Sequence, residues 1–317
     1  MSGGDQRGIM MNSTQVSYFT LAAYFDTGLL KYLFFIIAMF LYAMILCANV
    51  LLIVIICMNR GLHEPMYLFL CSLFVNELYG STGLFPSLMV QILSDIHTVP
   101  ASFCYFQIFC VHSYGTVELL LLTVMSYDRY AAICYPLLYN TYMSSCKIAI
   151  MNSVAWVYGF STCFIMVCLS SSLQLCGNII NKVYCDNYSV VKMSCSDTQI
   201  FNIFGLISCF GVIICPLSLI FYSYMKILKV CFSGSKQTRQ KAVSTCTPHL
   251  VSLLNFSFGA CFEILQSRFN MSSVPNMLRI FLSLYFLTCQ PLFNPVLYGF
   301  NLSKIRIICK SLLFSKI

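Results

Sequence analysis

Seven long apolar stretches constrain the fold of this chain more than any other feature. They lie at roughly residues 31–57, 66–90, 103–127, 148–172, 200–225, 242–266 and 276–298. Each is close to or above the roughly 20 apolar residues that a helix needs to cross a bilayer. Because a backbone in lipid must satisfy its own hydrogen bonds, each stretch is predicted to be a transmembrane helix. The expected fold class is an all-α membrane protein with a seven-helix bundle.

Composition supports this class, since 59% of the 317 residues are hydrophobic and only 9% are charged. A soluble domain would carry about 25% charged residues. The connecting segments are short, so we expect an extracellular tail at 1–30, a seven-helix domain at 31–300, and a cytoplasmic amphipathic helix and tail at 301–317. No cleavable signal peptide is recognised before the first span, which is expected to direct insertion itself.

The distribution of Lys and Arg predicts the orientation. With the N-terminus outside, twelve of the 18 fall on the inner side, which is the usual bias of membrane proteins. The net charge of +8 is therefore mainly a topology signal with some attraction to anionic lipid. No compact basic domain remains outside the spans, so nucleic acid is excluded as a partner. We expect a multi-pass protein of the plasma membrane.

Four of the 19 cysteines fall on the outer side, where disulfides form. They are Cys104 at the start of the third span, and Cys176, Cys185 and Cys195 in the loop after the fourth. Four cysteines allow three pairings, and we expect one bond to tie this loop to the third span and a second to close the loop on itself. No metal site is expected. Among the outer glycosylation sequons, Asn12 is the best acceptor because it lies in the tail.

Ionisable groups inside spans are costly unless they are paired, so each is a functional candidate. Glu77 and Glu118 are the deepest, and together with Asn49 and Asn294 they are predicted to form a polar cluster inside the bundle. This cluster is expected to hold a sodium ion or a proton and to rearrange on activation. The alternative is a protonated carboxyl group that only bonds its neighbours.

An outward-facing pocket is expected in the outer half of the bundle. His112 lies eight residues after Cys104, about 12 Å below the outer end of the third span. The candidate ligand contacts are His112, Gly115, Thr116, Ser208 and Arg268. Arg268 suits a carboxylate because guanidinium groups bind carboxylates bidentately. The alternatives are a His112 bonded to a neighbouring helix and an Arg268 that snorkels at the interface.

The inner ends of the spans carry candidate switch residues. Asp128 is expected to hold Arg129 by charge pairing in the inactive state, and Tyr224 and Tyr298 are phenols that could receive Arg129 in the active state. The candidate residues for the switch and for partner coupling are Asp128, Arg129, Tyr130, Tyr224, Lys241, His249 and Tyr298.

Four motifs are spread over the whole chain. They are Leu62-His63-Glu64-Pro65-Met66-Tyr67, Met125-Ser126-Tyr127-Asp128-Arg129-Tyr130-Ala131-Ala132-Ile133-Cys134, Lys241-Ala242-Val243-Ser244-Thr245-Cys246-Thr247-Pro248-His249-Leu250 and Pro291-Leu292-Phe293-Asn294-Pro295-Val296-Leu297-Tyr298. Together they resemble the motifs of vertebrate odorant receptors. Asp-Arg-Tyr alone would indicate only a rhodopsin-like receptor, whereas the His-x-Pro-Met-Tyr and Ser-Thr-Cys-x-x-His-Leu elements are specific to the odorant branch.

The resemblance implies the disulfide bonds Cys104–Cys185 and Cys176–Cys195. It also implies coupling to a heterotrimeric G protein of the stimulatory olfactory type and a rise in cyclic AMP, in olfactory sensory neurons. The other expected partners are a small-molecule odorant, membrane lipid and a trafficking chaperone, and no cofactor is expected. Finer details look most like fish-type receptors for water-soluble odorants, which implies a small polar or acidic odorant at His112 and Arg268.

The sequence departs from the family pattern at several positions, in the expected ion site and at the floor of the expected pocket. Glu77 stands where Asp is common, which keeps the charge on a longer side chain, and Asn255-Phe256-Ser257 stands where many members have Phe-Tyr.

Three other functional classes compete with an odorant receptor. A transporter is disfavoured because the two halves show no similarity, and an enzyme because no catalytic set gathers at one depth. A non-olfactory rhodopsin-like receptor for a small molecule or peptide is the main alternative.

Overall fold

Helices make up most of the structure, a computed structural model that describes residues 16–25, 27–233, 236–268 and 274–314. In chain order they are α1 (Leu30–Met58), α2 (Pro65–Leu93), α3 (Ala101–Cys134), α4 (Tyr139–Tyr142), α5 (Ser145–Ser171), α6 (Asn187–Lys192), α7 (Gln199–Cys209), α8 (Cys215–Ser233), α9 (Lys236–Arg268), α10 (Asn276–Asn301) and α11 (Ser303–Phe314). A π-helical turn, Phe210–Ile214, joins α7 to α8.

Each of the seven predicted spans falls on a long helical segment. Within the described residues, six segments are long and apolar enough to cross a membrane, namely α1, α2, α3, α5, α7 to α8, and α10. The sixth predicted span lies in α9, which is 33 residues long but carries more polar side chains. Three of these, His249, Ser252 and Asn255, bond to α10 inside the bundle. His249 and Ser252 are buried between the helices and Asn255 is partly buried, which is where a membrane protein tolerates polar groups.

Helix α3 forms the centre of the bundle. In its most apolar window 72% of the residues are buried, against 28% for α1 and 11% for the α7–α8 segment, which face outward. Close packing of α2 on α3 depends on two glycines. A Cβ atom on Gly80 would lie 2.4 Å from a ring carbon of Tyr114, and one on Gly83 would lie 2.7 Å from Cβ of Cys110. Small residues at such contacts let membrane helices approach closely.

Prolines lie inside several of the spans, and two of them have a visible effect on the helix. Pro295 has no N–H to bond the carbonyl of Pro291 four residues earlier, so that carbonyl needs another donor. The side-chain amide of Asn49 on α1 supplies it, at 3.0 Å from the Pro291 oxygen. In the fifth span the π-helical turn ends just before Pro216.

A small sheet on the outer side was not anticipated from the sequence. Its strands are β1 (Tyr18–Leu21), β2 (Thr98–Pro100) and β3 (Ile179–Ile180), in the order β2-β1-β3, with β2 antiparallel and β3 parallel to β1. Strands of two to four residues are too short to give a recognisable alternation. Part of the expected N-terminal tail is thus built into the outer cap, while Asn12, the expected glycosylation site, lies outside the described residues.

The segment after β1 also packs on the outer loops. Tyr24 donates its hydroxyl hydrogen to the carbonyl of Val183, at 2.9 Å, and its ring stacks on His97 at 4.5 Å between centroids. At the opposite end of the bundle, α11 packs its buried Ile305 into the inner core. Lys304 on the exposed side of α11 pairs with Glu64 at 2.5 Å.

Candidate functional site

Two disulfide bonds hold the loop between α5 and α7 in place. Cys104, at the start of α3, pairs with Cys185, and Cys176 pairs with Cys195. These are the two bonds that the family resemblance implied. The backbone amide of Cys185 also donates to the Gln107 side-chain oxygen, at 2.9 Å. The residues around Cys185 are therefore fixed over the outer end of α3.

Three charged side chains lie together beside this disulfide. The ammonium of Lys182 pairs with the Oε1 atom of Glu263 on α9 and lies 3.6 Å from the Oδ2 atom of Asp186. Tyr184 donates its hydroxyl hydrogen to the same Glu263 oxygen, at 2.7 Å. Burial raises the pKa of the Tyr184 phenol well above its usual range, so the hydroxyl stays a donor. This charged cluster, Lys182, Asp186 and Glu263 with Tyr184, links the outer loop to the sixth span.

His112 lies on α3 near this charged cluster, and its ring interacts electrostatically with the charges of Asp186, Glu263 and Lys182. Its Nδ1 atom bonds the Ile108 carbonyl, 3.0 Å away, on its own helix. The ring is therefore oriented by α3, and the charges nearest to it come from the loop and from α9.

The other candidate ligand contacts lie in different surroundings. Gly115 faces α10, where an added Cβ would lie 3.1 Å from the Phe286 ring. The Thr116 hydroxyl contacts the Cys163 sulfur of α5, at 3.7 Å. Ser208 lies on α7, a helix with no buried residue. Arg268 is the last residue of α9, and its side chain lies outside the described part of the chain.

Deeper in the bundle, the two buried glutamates meet at one amide. The Nδ2 atom of Asn294 lies 2.5 Å from Oε1 of Glu77 and 3.0 Å from Oε1 of Glu118. The second oxygen of Glu77 accepts from the Tyr114 hydroxyl at 2.9 Å, and that of Glu118 accepts from Asn76 at 3.0 Å. All four carboxyl oxygens thus receive donors, from three helices. Of the four residues predicted for this polar cluster, Asn49 does not bond the carboxyl groups, because it donates to Ile45 and Pro291.

Gln290 extends the polar cluster toward α9. It donates to Oε1 of Glu118 at 3.2 Å and to the Ser252 hydroxyl at 3.2 Å, while its own oxygen accepts from Asn255 at 2.5 Å. Ser252 in turn donates to Asn294 at 2.7 Å. The polar cluster therefore connects α2, α3, α9 and α10, and a shift of α9 would disturb it.

At the inner end of α3, Arg129 pairs with the carboxylate of its neighbour Asp128. Asp128 is fully buried and also accepts from the Tyr139 hydroxyl at 2.6 Å. The next residue, Tyr130, bonds the Tyr135 hydroxyl at 3.3 Å instead of joining this pair. In this arrangement Arg129 is held against its own helix.

The inner ends of α9 and α10 meet at His249 and Tyr298, whose Nδ1 and hydroxyl atoms lie 3.2 Å apart. Tyr224 packs on the buried Ile227, Cys231 and Cys246 between α8 and α9. Lys241 is on α9, and its side chain lies outside the described part of the chain.

Comparison with known sequences identifies the protein family of this chain. The sequence profile of the family described as "Olfactory receptor" matches residues 38–316. The chain belongs to the olfactory receptor family.

Individual olfactory receptors are similar along nearly their whole length. Olfactory receptor 10A6 of Homo sapiens is 32% identical over 297 residues, which cover 93% of this chain and 94% of that receptor. Olfactory receptor 5P55 of Mus musculus is 33% identical over 290 residues, which cover 91% and 93%. This olfactory receptor is therefore an odorant-sensing, multi-pass membrane receptor of the G-protein-coupled class, with a G protein and a small-molecule ligand as partners, and it is not an enzyme.

The fold of this olfactory receptor is also found in solved structures. Squid rhodopsin superposes with a TM-score of 0.71 and 18% sequence identity, covering 92% of this chain and 82% of rhodopsin. This likeness confirms the predicted seven-helix architecture.

Sequence reasoning missed several residues of the olfactory receptor's outer and central sites. Lys182 and Asp186 were not among the candidate residues, although their places next to Cys185 fix them above α3 once the disulfide is known. Glu263 was not among the candidates either, and its bond to Lys182 joins the sixth span to this loop. Tyr114, Asn76 and Gln290 lie in spans that were identified, and the signal that could have found them is polarity inside an apolar helix.

Proposed function

We propose that this receptor binds a small polar or acidic odorant in its outer half and activates the stimulatory olfactory G protein, which raises cyclic AMP. The observation that carries the ligand class is the buried charged cluster next to His112. Lys182 and Asp186 are 7% and 4% exposed, and charges removed from water interact strongly with a polar ligand. A purely apolar odorant would gain nothing from them.

The ligand contacts proposed are His112, Gly115, Thr116, Ser208 and Arg268, as expected from the sequence. Their role is to be tested, and the electrostatic influence of Asp186, Glu263 and Lys182 on its ring supports His112 first. Arg268 is proposed to bind a carboxylate, and it follows Glu263 on α9 by five residues at the outer end of the same helix.

Activation is proposed to be a population shift, in which the odorant binds better to an arrangement with α9 swung away from α3. Two groups of contacts oppose this motion. Lys182 ties the outer end of α9 to the loop, and Ser252 and Asn255 tie its middle to α10. Opening would release Arg129 from Asp128, and Tyr224 and Tyr298 are the proposed acceptors.

The inner surface is proposed to contact the G protein through basic residues. They are Lys226, Lys229, Lys236, Arg239 and Lys241, on the inner ends of α8 and α9. Helix α11 is proposed to lie on the inner leaflet, with its buried Ile305 toward the bundle and basic residues toward lipid headgroups. The sensory-neuron location, the trafficking chaperone and the likeness to fish-type receptors stay predictions.

The test is a cyclic AMP assay in cells that express the intact receptor with the stimulatory olfactory G protein. Short carboxylates, amines and neutral odorants are applied to the wild type, to Arg268→Ala and to Lys192→Met, a control on an exposed lysine of the same outer loop. We expect carboxylates to raise cyclic AMP, and Arg268→Ala to abolish that response at equal surface expression while Lys192→Met keeps it. Activation by amines or neutral odorants alone would contradict the proposed ligand class.

A further inference from the structure

A chain of three hydrogen bonds joins α10 and α9 to the buried carboxyl pair. Tyr285 on α10 donates its hydroxyl hydrogen to the Oδ1 atom of Asn255 on α9, at 2.6 Å. Asn255 donates from Nδ2 to the Oε1 atom of Gln290, at 2.5 Å, and Gln290 donates from Nε2 to Oε1 of Glu118, at 3.2 Å. Every donor in this chain points toward the carboxyl group, so the three bonds polarise one another in the same sense.

The first residue of the chain lies among side chains that face the lipid. The Tyr285 ring packs against Phe258 and Phe281, with ring centroids 5.4 Å and 6.2 Å apart. Those two side chains are 50% and 59% exposed on the outside of a bundle that spans the membrane. Lipid cannot replace the bond from Tyr285 to Asn255, so the loss of this hydroxyl is costly for Asn255.

The amide of Gln290 has only one favourable orientation. Gln290 is buried, and its Nε2 atom lies within 3.5 Å of acceptor oxygens on Glu118, Ser252 and Asn294. Turning the amide over would place its Oε1 atom against these oxygens. The Oε1 atom therefore has to receive a donor from the opposite side, and Asn255 supplies that donor.

Asn255 also fixes how α9 lies on α10. Its two partners, Tyr285 and Gln290, are five residues apart, about 7.5 Å along α10. One side chain that bridges both points restricts the height and the rotation of α9 at once. The helices approach closely here, since a Cβ atom on Gly259, one turn from Asn255, would lie 3.2 Å from the Cα atom of Phe286. The middle of α9 therefore cannot shift on α10 without breaking the chain.

We propose that Asn255 is a positioning residue for signalling, which together with Tyr285 and Gln290 links the position of α9 to the bonding of Glu118. When α9 swings away from α3, Gln290 loses its donor on α9, and its hold on Glu118 weakens. The closed arrangement is thus stabilised by the same bonds that hold the carboxyl pair. This inference rests on the proposed function, in which α9 moves on activation, and it adds the residue that connects this motion to the polar cluster.

The first test observes Glu118 directly, by infrared difference spectroscopy of the purified full-length receptor. The carboxyl band of Glu118 is assigned by its loss in Glu118→Gln. We expect Asn255→Leu to shift this band, because Gln290 then lacks its donor and its bond to Glu118 changes. We expect Tyr285→Phe to shift the band in the same direction by a smaller amount. A role of Asn255 in packing alone would leave the band where it is.

Two matched controls separate this chain from other polar contacts of the helices. Tyr42→Phe removes a hydroxyl that lies 3.2 Å from the Thr82 hydroxyl, between α1 and α2. Asn202→Leu replaces an exposed asparagine of α7, whose amide bonds the Thr198 hydroxyl at 3.3 Å. Both controls remove the same kinds of group away from the polar cluster. We expect the Glu118 band and the basal cyclic AMP of both to match the wild type.

The second test measures basal cyclic AMP in cells with the stimulatory olfactory G protein, at equal surface expression. Asn255→Leu removes two hydrogen bonds between α9 and α10, so we expect a rise of about fivefold or more. Tyr285→Phe removes one of them and should give a smaller rise. The double variant should match Asn255→Leu, because both changes break the same chain.

Two results would overturn the inference. One is a Glu118 band that stays unchanged in Asn255→Leu. The other is a basal cyclic AMP that stays unchanged in Asn255→Leu while Asp128→Asn raises it in the same cells. If no variant raises cyclic AMP, the proposed coupling fails instead, and the infrared band still decides whether Asn255 positions Glu118.

Discussion

Glu77 and Glu118 share the side-chain amide of Asn294, which lies within 3.0 Å of a carboxyl oxygen of each. Both glutamates are fully buried in the described structure. Two ionised carboxylates in the middle of a bundle repel each other strongly, because the surrounding dielectric is low. The pair therefore requires a proton or a small cation, and a cation would have to displace some of the donors from Asn294, Tyr114 and Asn76 that the four oxygens now accept.

We predict that sodium stabilises the receptor through this pair. Replacing choline by sodium at equal ionic strength should raise the melting temperature by a few degrees, and Glu77→Gln should remove the shift because it removes one charge. The control is Glu64→Gln, which changes an exposed glutamate outside the polar cluster. If sodium and choline give the same melting temperature in the wild type, the pair is held by a proton instead.

The approach of α2 to α3 gives a second prediction. Gly80→Ala places a Cβ atom against the ring of Tyr114, whose hydroxyl bonds Glu77, so the substitution should disturb both packing and the polar cluster. Overpacking of this kind costs about 1–3 kcal/mol. We expect a lower melting temperature and reduced surface expression. Gly205→Ala on α7 meets no atom within 4 Å and should behave like the wild type. Equal stability of the two variants would show that α3 can move away without cost.

The spans and the proximity of Glu77 and Glu118 could be predicted from the sequence, and for the same physical reason. Lipid demands long apolar helices, and any acid within them stands out and has to find partners inside the bundle. The disulfide partners came from family resemblance, since four outer cysteines alone allow three pairings.

The structure of the outer cap could be predicted from the sequence to a much smaller extent. The pairing of Lys182 with Glu263 joins residues 81 positions apart, and it depends on how a loop without regular periodicity folds around the Cys104–Cys185 bond. One of the three short strands, Ile179–Ile180, belongs to the same loop. Asn49 was predicted to join the carboxyl groups, but its amide donates to the Pro291 carbonyl instead. That carbonyl needs a donor because Pro295 has no N–H, which is a backbone effect and not an effect of charge.

The contact between Tyr24 and His97 predicts a pH dependence of the outer cap. Partial burial lowers the pKa of His97 below its usual value of 6.5. The unfolded chain therefore takes up a proton at His97 more readily than the folded one. The contribution of His97 to the free energy of unfolding is complete above about pH 6.5 and is lost as the pH falls through the pKa of the folded state.

We expect the melting temperature of the wild type to fall between about pH 7.5 and about pH 5.5. His97→Phe keeps a ring on Tyr24 but cannot titrate, so its melting temperature should fall less over the same range. An equal fall in both proteins would assign the pH dependence to other groups.

The proposed switch at Asp128 and Arg129 can be tested without a ligand. Asp128→Asn removes the charge that holds Arg129 and should raise basal cyclic AMP several-fold in cells with the stimulatory olfactory G protein. The double variant with Arg129→Ala should return it to background, and Asp95→Asn, at an exposed outer carboxylate, should not raise it. A rise that depends on Arg129 and on the stimulatory G protein is the predicted result. No rise at normal surface expression, or a rise only with an inhibitory G protein, would contradict the proposed switch and coupling.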